Sequence, residues 1–462
     1  MTVDSIPDLA GWRCLHLIGI GGAGMNGIAR LLVARGMRVT GSDLKDAAGL
    51  EQLRREGATV FVGHRADHVG LPDAVVVSSA VPADNVELRE ARRLGLPVLT
   101  RAQLLASLMQ GKRTVAVAGT HGKTTTTSMI SVMLSRVGMD PTYVIGGDLN
   151  ESGSGSGHGA GEVFVAEADE SDGSFLLLQP DIAVVTNVEE DHLDYYAGLE
   201  DVESAFGQFA RQAGTVVACW DDPGVRRALD GLPAPILRYG TGEGIDVRLV
   251  DQELSWNGAR ATVELGGRRI GLTLSVPGRH NLLNAAATLG VASLLDVRLE
   301  DAARGLRSFS GVRRRFECRG VARGATFIDD YAHHPSEVAA TLEVARIDGP
   351  RRIVAVFQPH RYSRTRAMWR ALGESLTAAD LAVFTDVYGA GERPIPGVTG
   401  KLLVDAFAEA APGKRVVYLP RRSDVPTFLA REARSGDLVI ALGAGDITMA
   451  LDETLQRLRE AG

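Results

Sequence analysis

The run VAVAGTHGKTTTT at residues 115–127 carries the residue types and spacing for holding phosphate. Gly119 and Gly122 let the backbone turn its N–H groups toward an anion, with Thr120 and His121 between them. Lys123 reaches the terminal phosphates, the Thr124 hydroxyl suits a divalent cation, and Thr125 continues into a helix whose N-terminus favours negative charge. Val117 stands where the common GxxxxGK[ST] loop has glycine, so the loop is either a shorter variant or an ordinary strand-to-helix turn.

Other clusters would act beside it. The apolar run 163–166 ends in Glu167, Asp169, Glu170 and Asp172, and the strand 182–187 is followed by Glu189, Glu190, Asp191 and His192. Carboxylates at strand tips beside a phosphate loop are where Mg2+ ligands belong; the plainer reading is solvated acidic loops. Arg361 and Arg364, with His360, follow the apolar run 353–357 and suit a carboxylate or phosphate. The Arg run 313–315 is a solvated face or an anion clamp. Near the start, Gly19-Ile20-Gly21-Gly22-Ala23-Gly24 has glycines at positions one, three and six, and Asp43 stands 19 residues after Gly24. That fingerprint fits a nucleotide diphosphate without separating NAD from a UDP-sugar.

These residues need strands to present them. A strand at 15–18, a helix carrying Ile28, Leu31 and Leu32, and a strand at 37–40 make a βαβ unit, followed by strands at 74–79, ending in small hydroxyl residues, and 96–99 and a short helix at 101–110. After the strand at 115–118 a helix runs over 124–137 and stops at Gly138, with Pro141 beyond. Residues 151–161, ESGSGSGHGAG, read as a mobile loop. Alternation over 246–276 predicts an antiparallel meander, and a helix follows over 281–295. Asn281 and Asn284, three apart on that helix, read locally as its cap. Strands at 353–357, 381–384, 415–419 and 438–442 alternate with helical stretches, the pattern of another α/β unit.

The 462 residues exceed one core, and 45% hydrophobic with 23% charged residues is the composition of a soluble globular protein. No apolar run reaches the ~20 residues that span a bilayer, and the first residues lack a basic stretch followed by an apolar one, so the expected compartment is the cytoplasm. Cys14, Cys219 and Cys318 form no metal-binding spacing and suit a reducing compartment. A net charge of −7 argues against a general nucleic-acid binder. The only lysines are Lys45, Lys112, Lys123, Lys401 and Lys414, which makes the one in the glycine loop more telling.

Taken together, GIGGAGM at 19–25, SSA at 78–80, AGTHGKTTT at 118–126, EADESDGSF at 167–175, DHLD at 191–194, PGRHNLLNA at 277–285, RRF at 314–316, DDYAHHP at 329–335, QPHRYSRT at 358–365 and GAGD at 443–446 resemble the Mur ligase family, across nearly the whole chain and in the family's order. The resemblance implies an α/β protein of three domains: a Rossmann-like UDP-sugar domain (1–110), a central P-loop ATPase-type domain (111–311), and a Rossmann-like α/β closing domain (312–462). It implies ATP-dependent amide formation between the lactyl carboxylate of UDP-N-acetylmuramate and L-alanine through an acyl phosphate, the first amino-acid addition in peptidoglycan precursor synthesis. ATP would meet Gly119, Thr120, Gly122, Lys123, Thr124, Thr125, Asn281, Asn284, Arg315 and Asp330. Two Mg2+ ions, replaceable by Mn2+, would be held by Thr124, Glu167 and His192, with Glu170 the alternative to Glu167. Lys123, Glu167 and His192 would be the catalytic set.

The UDP-sugar would lie against Gly19, Gly21, Gly22, Ala23, Gly24, Asp43, Ser79 and His121, and the amino acid against Tyr331, His333, Arg361 and Arg364. A monomer or weak homodimer without nucleic-acid or membrane partners is implied. Later members of the pathway carry a carbamylated Lys after the DH motif; residues 193–211 contain no Lys, which agrees with the alanine-adding activity. A recycling ligase that attaches a whole tripeptide is the nearer rival. An NAD-dependent oxidoreductase would leave the Lys123 loop and the acidic tips without a role, and a non-catalytic regulator would not need Lys123, Thr124 and His192 together.

Overall fold

Runs of Val, Ile, Leu and Ala buried on both faces make parallel strands, and the computed structural model assembles them into three successive sheets. Residues 6–46, 48–78, 80–193, 195–347, 349 and 351–460 are described. The first sheet contains β1 (Cys14–Ile18), β2 (Arg38–Asp43), β3 (Thr59–Val62), β4 (Ala74–Val77) and β5 (Val98–Thr100), all parallel, in the order β3-β2-β1-β4-β5.

The second sheet contains β6 (Arg113–Ala118), β7 (Thr142–Val144), β8 (Ser156–Gly157), β9 (Val163–Glu167), β10 (Ile182–Val185), β11 (Thr215–Cys219), β12 (Ile236–Gly240), β13 (Val247–Ser255), β14 (Gly258–Leu265) and β15 (Arg268–Leu274). Its order is β15-β14-β13-β12-β11-β10-β6-β9-β7-β8, with the expected meander β13 to β15 forming one antiparallel end. The third contains β16 (Glu317–Ala322), β17 (Ala325–Asp330), β18 (Ile353–Phe357), β19 (Leu381–Phe384), β20 (Arg415–Tyr418) and β21 (Leu438–Leu442), in the order β16-β17-β21-β18-β19-β20.

Position follows from register. β6 lies between β9 and β10, with Val117 opposite Glu167 and Ala118 opposite Val185. The loop after β6 therefore leaves the sheet at the level where its two neighbours release their carboxylates, the usual ligand edge of a parallel sheet. Residues 151–161 depart from expectation. Glycine and serine there do not make a free loop: β8 pairs antiparallel with β7, Ser154 and Ser156 are buried, and the Arg30 guanidinium bonds Ser154 Oγ from the first unit.

The first unit holds one carboxylate away from water. Glu87 is fully buried, accepts from the Ser42 hydroxyl and the Arg65 N–H, and has His16 Nε2 at 3.4 Å and His68 Nδ1 at 3.2 Å. Burial alone would raise its pKa; the hydrogen bonds from His16, Ser42 and Arg65 outweigh burial and bring it down to about 2. A depressed carboxylate contributes stability that is complete above its unfolded pKa and is lost as pH falls through the folded one. Glu87→Gln should therefore destabilise the protein by at least about 2 kcal/mol near neutral pH. The gap to the parent chain in urea unfolding should close as pH falls from about 4.5 toward 2; a pH-independent gap would mean that the charge is irrelevant.

Candidate active site

The glycine loop is pinned to the turn that follows β10. Thr120 N–H donates to the Asn187 carbonyl and His121 N–H to Asn187 Oδ1, while Thr186 Oγ1 donates to the His121 carbonyl at 2.6 Å. Gly119 has φ +143°, and a Cβ there would stand 1.9 Å from Thr186 Oγ1, so no other residue fits. Gly122, at φ +78°, precedes the helix Lys123–Arg136 without a side-chain cap, leaving first-turn N–H groups for an anion.

Lys123 Nζ donates to the Gly119 and Thr120 carbonyls and, at 2.8 Å, to Glu170 Oε1. Burial pulls the ammonium's pKa down, and the neighbouring carboxylates, Glu170 foremost, more than reverse that. Desolvation pushes Glu170 up to about 7 despite Lys123, and its Oε2 is buried without a hydrogen-bond partner. Glu167 accepts from Thr124 Oγ1 at 3.1 Å and from the Gly146 N–H at 2.7 Å. His192, at φ +54°, sets Nε2 3.7 Å from Glu170 Oε1, its pKa lowered by burial. A hydroxyl, carboxylates, an orphaned carboxylate oxygen and an imidazole around one helical turn fit a hard divalent cation.

The third unit closes the other side. A cavity of about 730 Å³ is lined by Gly122, Thr125, Asn281, Asn284, Arg315 and Asp330 among others, which brings six of the expected nucleotide residues together. Asp330 accepts from the Phe316 and Ala332 N–H groups and is pushed up to about 6 by burial. Arg315 lies over the Tyr331 ring with its guanidinium 3.4 Å from Glu337. Asn281 and Asn284 are not the helix cap: Gly278 takes that position, Asn281 donates to the Pro277 carbonyl, and both amides face the cavity.

A second cavity, about 20 Å³, is lined by Asp191, His192, Arg361, Ser363, Arg364 and Met368. Arg364 is engaged there, donating through Nε and Nη2, each at 3.1 Å, to the two oxygens of Asp191, with both side chains buried. Asp191 is accordingly held well below the usual carboxylate range, burial notwithstanding. Arg361 Nη1 lies 3.9 Å from Glu392. Tyr331 and His333 do not line this cavity; the His333 ring stands 5.9 Å from that of His360, and burial pushes His333 down to about 3.

In the first unit, Gly21 N–H donates to Asp43 Oδ2 at 2.9 Å, so Asp43 braces the glycine loop itself. Gly19 has φ +78° and Gly24 packs against Arg101; Gly22 caps the following helix, which begins at Ala23. Ser79 lies outside the described residues. His121 is not beside this loop: its side-chain partners are Glu189, His334, Ser336 and Glu337. Of these four, only Glu189 was among the expected candidates, as a strand-tip carboxylate; His334, Ser336 and Glu337 were not. His334 falls inside the DDYAHHP motif and Ser336 and Glu337 just after it, but no local spacing couples positions more than 60 residues apart.

Sequence profiles of three domains match in order: "Mur ligase family, catalytic domain" over residues 15–113, "Mur ligase middle domain" over 117–292, and "Mur ligase, glutamate ligase domain" over 314–445. The UDP-N-acetylmuramate--L-alanine ligase of Pelotomaculum thermopropionicum is 48% identical over 453 residues, covering 97% of this chain and 98% of that protein. That of Acidothermus cellulolyticus is 49% identical over 456 residues, 96% of this chain and 94% of the relative. Among solved structures, the UDP-N-acetylmuramate-alanine ligase of Thermotoga maritima superposes with a TM-score of 0.83 at 30% identity, covering 97% and 99% of the two chains. A murein peptide ligase from Psychrobacter arcticus gives 0.72 at 26%, covering 96% and 98%. The chain belongs to the Mur ligase family, whose members use ATP.

Because the Gly119 Cβ position is filled by Thr186, Gly119→Ala should cost about 2 kcal/mol or more and weaken ATP affinity at least about tenfold. Thermal denaturation and titration with a fluorescent ATP analogue check both.

Proposed function

We propose that this chain joins L-alanine to the lactyl carboxylate of UDP-N-acetylmuramate, converting ATP to ADP and phosphate. The single observation that carries this reading is the convergence of the Lys123 loop, the Glu167, Glu170 and His192 rim, and the Arg361 and Arg364 loop at one junction between the second and third units. Relatives named for this reaction, alike over nearly the full length, support it.

A carboxylate resists an amine until one oxygen becomes a leaving group, so phosphorylation must come first. Lys123 exchanges its carbonyl contacts for the ATP phosphates, while the uncapped helix N-terminus faces the same anions. Asn281 and Asn284 take the adenine side of the large cavity, with Arg315 toward the phosphates and Asp330 toward the ribose. Thr124, Glu167 and His192, with Glu170 in reserve, would hold Mg2+ or Mn2+, which would supply charge neutralisation at the transferring phosphoryl group. Gly19, Gly21, Gly22, Ala23, Gly24, Asp43 and Ser79, with His121 at the muramoyl end, hold the UDP-sugar. Arg361 and Arg364 fix the alanine carboxylate, with Tyr331 and His333 behind them. The amine then attacks the acyl phosphate, and the tetrahedral intermediate expels phosphate.

The division into 1–110, 111–311 and 312–462 and a monomer or weak homodimer in the cytoplasm belong to the same reading. No described helix is long and apolar enough to cross a membrane.

Phosphate release with ATP and UDP-N-acetylmuramate should appear with L-alanine and be absent both without amino acid and with the L-alanyl tripeptide; release only with the tripeptide would make this a recycling ligase. Lys123→Ala should reduce turnover by at least about a hundredfold while UDP-sugar affinity stays near normal, and unchanged turnover would remove the loop from catalysis. Arg361→Ala should raise KM for L-alanine at least about tenfold and KM for ATP little. Equal effects on the two would take Arg361 out of the amino-acid pocket.

A further inference from the structure

Four donor atoms from two units meet beside the phosphate loop, outside the Thr124, Glu167 and His192 set. His121 Nε2 lies 3.0 Å from His334 Nδ1, and Glu189 Oε2 lies 3.7 Å from each. Ser336 Oγ caps the triangle at 3.0 Å from His121 Nε2, 2.7 Å from His334 Nδ1 and 2.8 Å from Glu189 Oε2. A tetrahedral Zn2+ with bonds of about 2.0–2.1 Å needs donors about 3.3 Å apart, within the range these separations span.

The other ring nitrogens strengthen the case. His121 Nδ1 faces Glu337 Oε1 at 3.3 Å, and His334 Nε2 faces the Glu190 carbonyl at 3.4 Å. A carboxylate or carbonyl on the far nitrogen holds the proton there and turns the near nitrogen's lone pair inward, the arrangement that orients metal-bound histidines. Two such lone pairs 3.0 Å apart repel unless a proton or a cation sits between them. Glu337 holds His121 from the third unit, while His121 and Glu189 belong to the second and His334 and Ser336 open the helix Pro335–Ala345.

We propose that His121, Glu189, His334 and Ser336 form a binding site for a Zn2+-class ion that staples the third unit onto the phosphate loop. Two imidazoles and a four-donor shell select Zn2+, Co2+ or Ni2+ over Mg2+, which demands six oxygen-rich positions. The binding does not depend on the ligase reading.

The test titrates the full chain with Co2+ in the presence of excess Mg2+. The intense visible absorption of four-coordinate Co2+ should appear at one equivalent, bleach on adding Zn2+, and accompany a Zn2+-dependent rise in Tm. His334→Gln and Glu189→Gln should each weaken Co2+ binding more than about tenfold and abolish the rise; Ser336→Ala should keep three donors and change the spectrum's shape. His192→Gln should leave the spectrum intact. A spectrum lost in His192→Gln but kept in His334→Gln puts the ion at the catalytic rim and overturns the proposal, as does the absence of any four-coordinate spectrum. If the spectrum follows the proposal and no amino acid supports phosphate release, the metal site stands and the ligase reading fails.

Discussion

A buried ammonium is tolerated only where carboxylates meet it, and Lys123 sets that condition for its surroundings. Because β6 runs between β9 and β10, both acidic tips end at the level of the loop, and Glu170 reaches Lys123 at 2.8 Å. Neutralisation overshoots: Glu167 and Asp169 add charge nearby, and Glu170 keeps an oxygen with no partner. The pocket thus holds clustered carboxylates and an unpaired carboxylate oxygen, a state that a cation-bound polyphosphate relieves better than a bare one.

The same electrostatics join the second and third units. Arg364 grips Asp191 with two parallel bonds, Glu337 collects His121 and Arg315, and Ser336 bonds Glu189. Removing one partner of a buried pair such as Arg364 and Asp191 strands the other in a low dielectric, so each partner at the junction depends on the other. It lies beside the Lys123 loop, which couples the fit of the third unit to the charge state of the phosphate site.

Much of the framework was legible in the chain. The expected strands 353–357, 381–384 and 438–442 coincide with β18, β19 and β21 because a strand buried on both faces is an unbroken apolar run with sharp ends. The α/β class and the helix after the glycine loop followed from the same signal. Residues 151–161 were misread because composition reports backbone freedom, and it is Arg30, 124 residues from Ser154, that removes it. Asn281 and Asn284 looked like caps because local spacing says nothing about a cavity on the other side. The pairing of Arg364 with Asp191 across 173 positions, and of His121 with His334 across 213, is created by folding alone.

The ten-stranded sheet has a consequence for life in a crowded solution. A sheet that wide offers two rims of unpaired backbone, each a template for another chain. At one rim β8 is only two residues, Ser156–Gly157, and the segment around it is tied down by Arg30 through Ser154. At the other, β15 opens with Arg268 and Arg269, which pair with Glu300, Glu264 and Asp251 and crowd that margin with charge. A short strand and a charged one blunt both margins, so the sheet can grow long enough to carry a phosphate loop at its centre without inviting a neighbour to extend it.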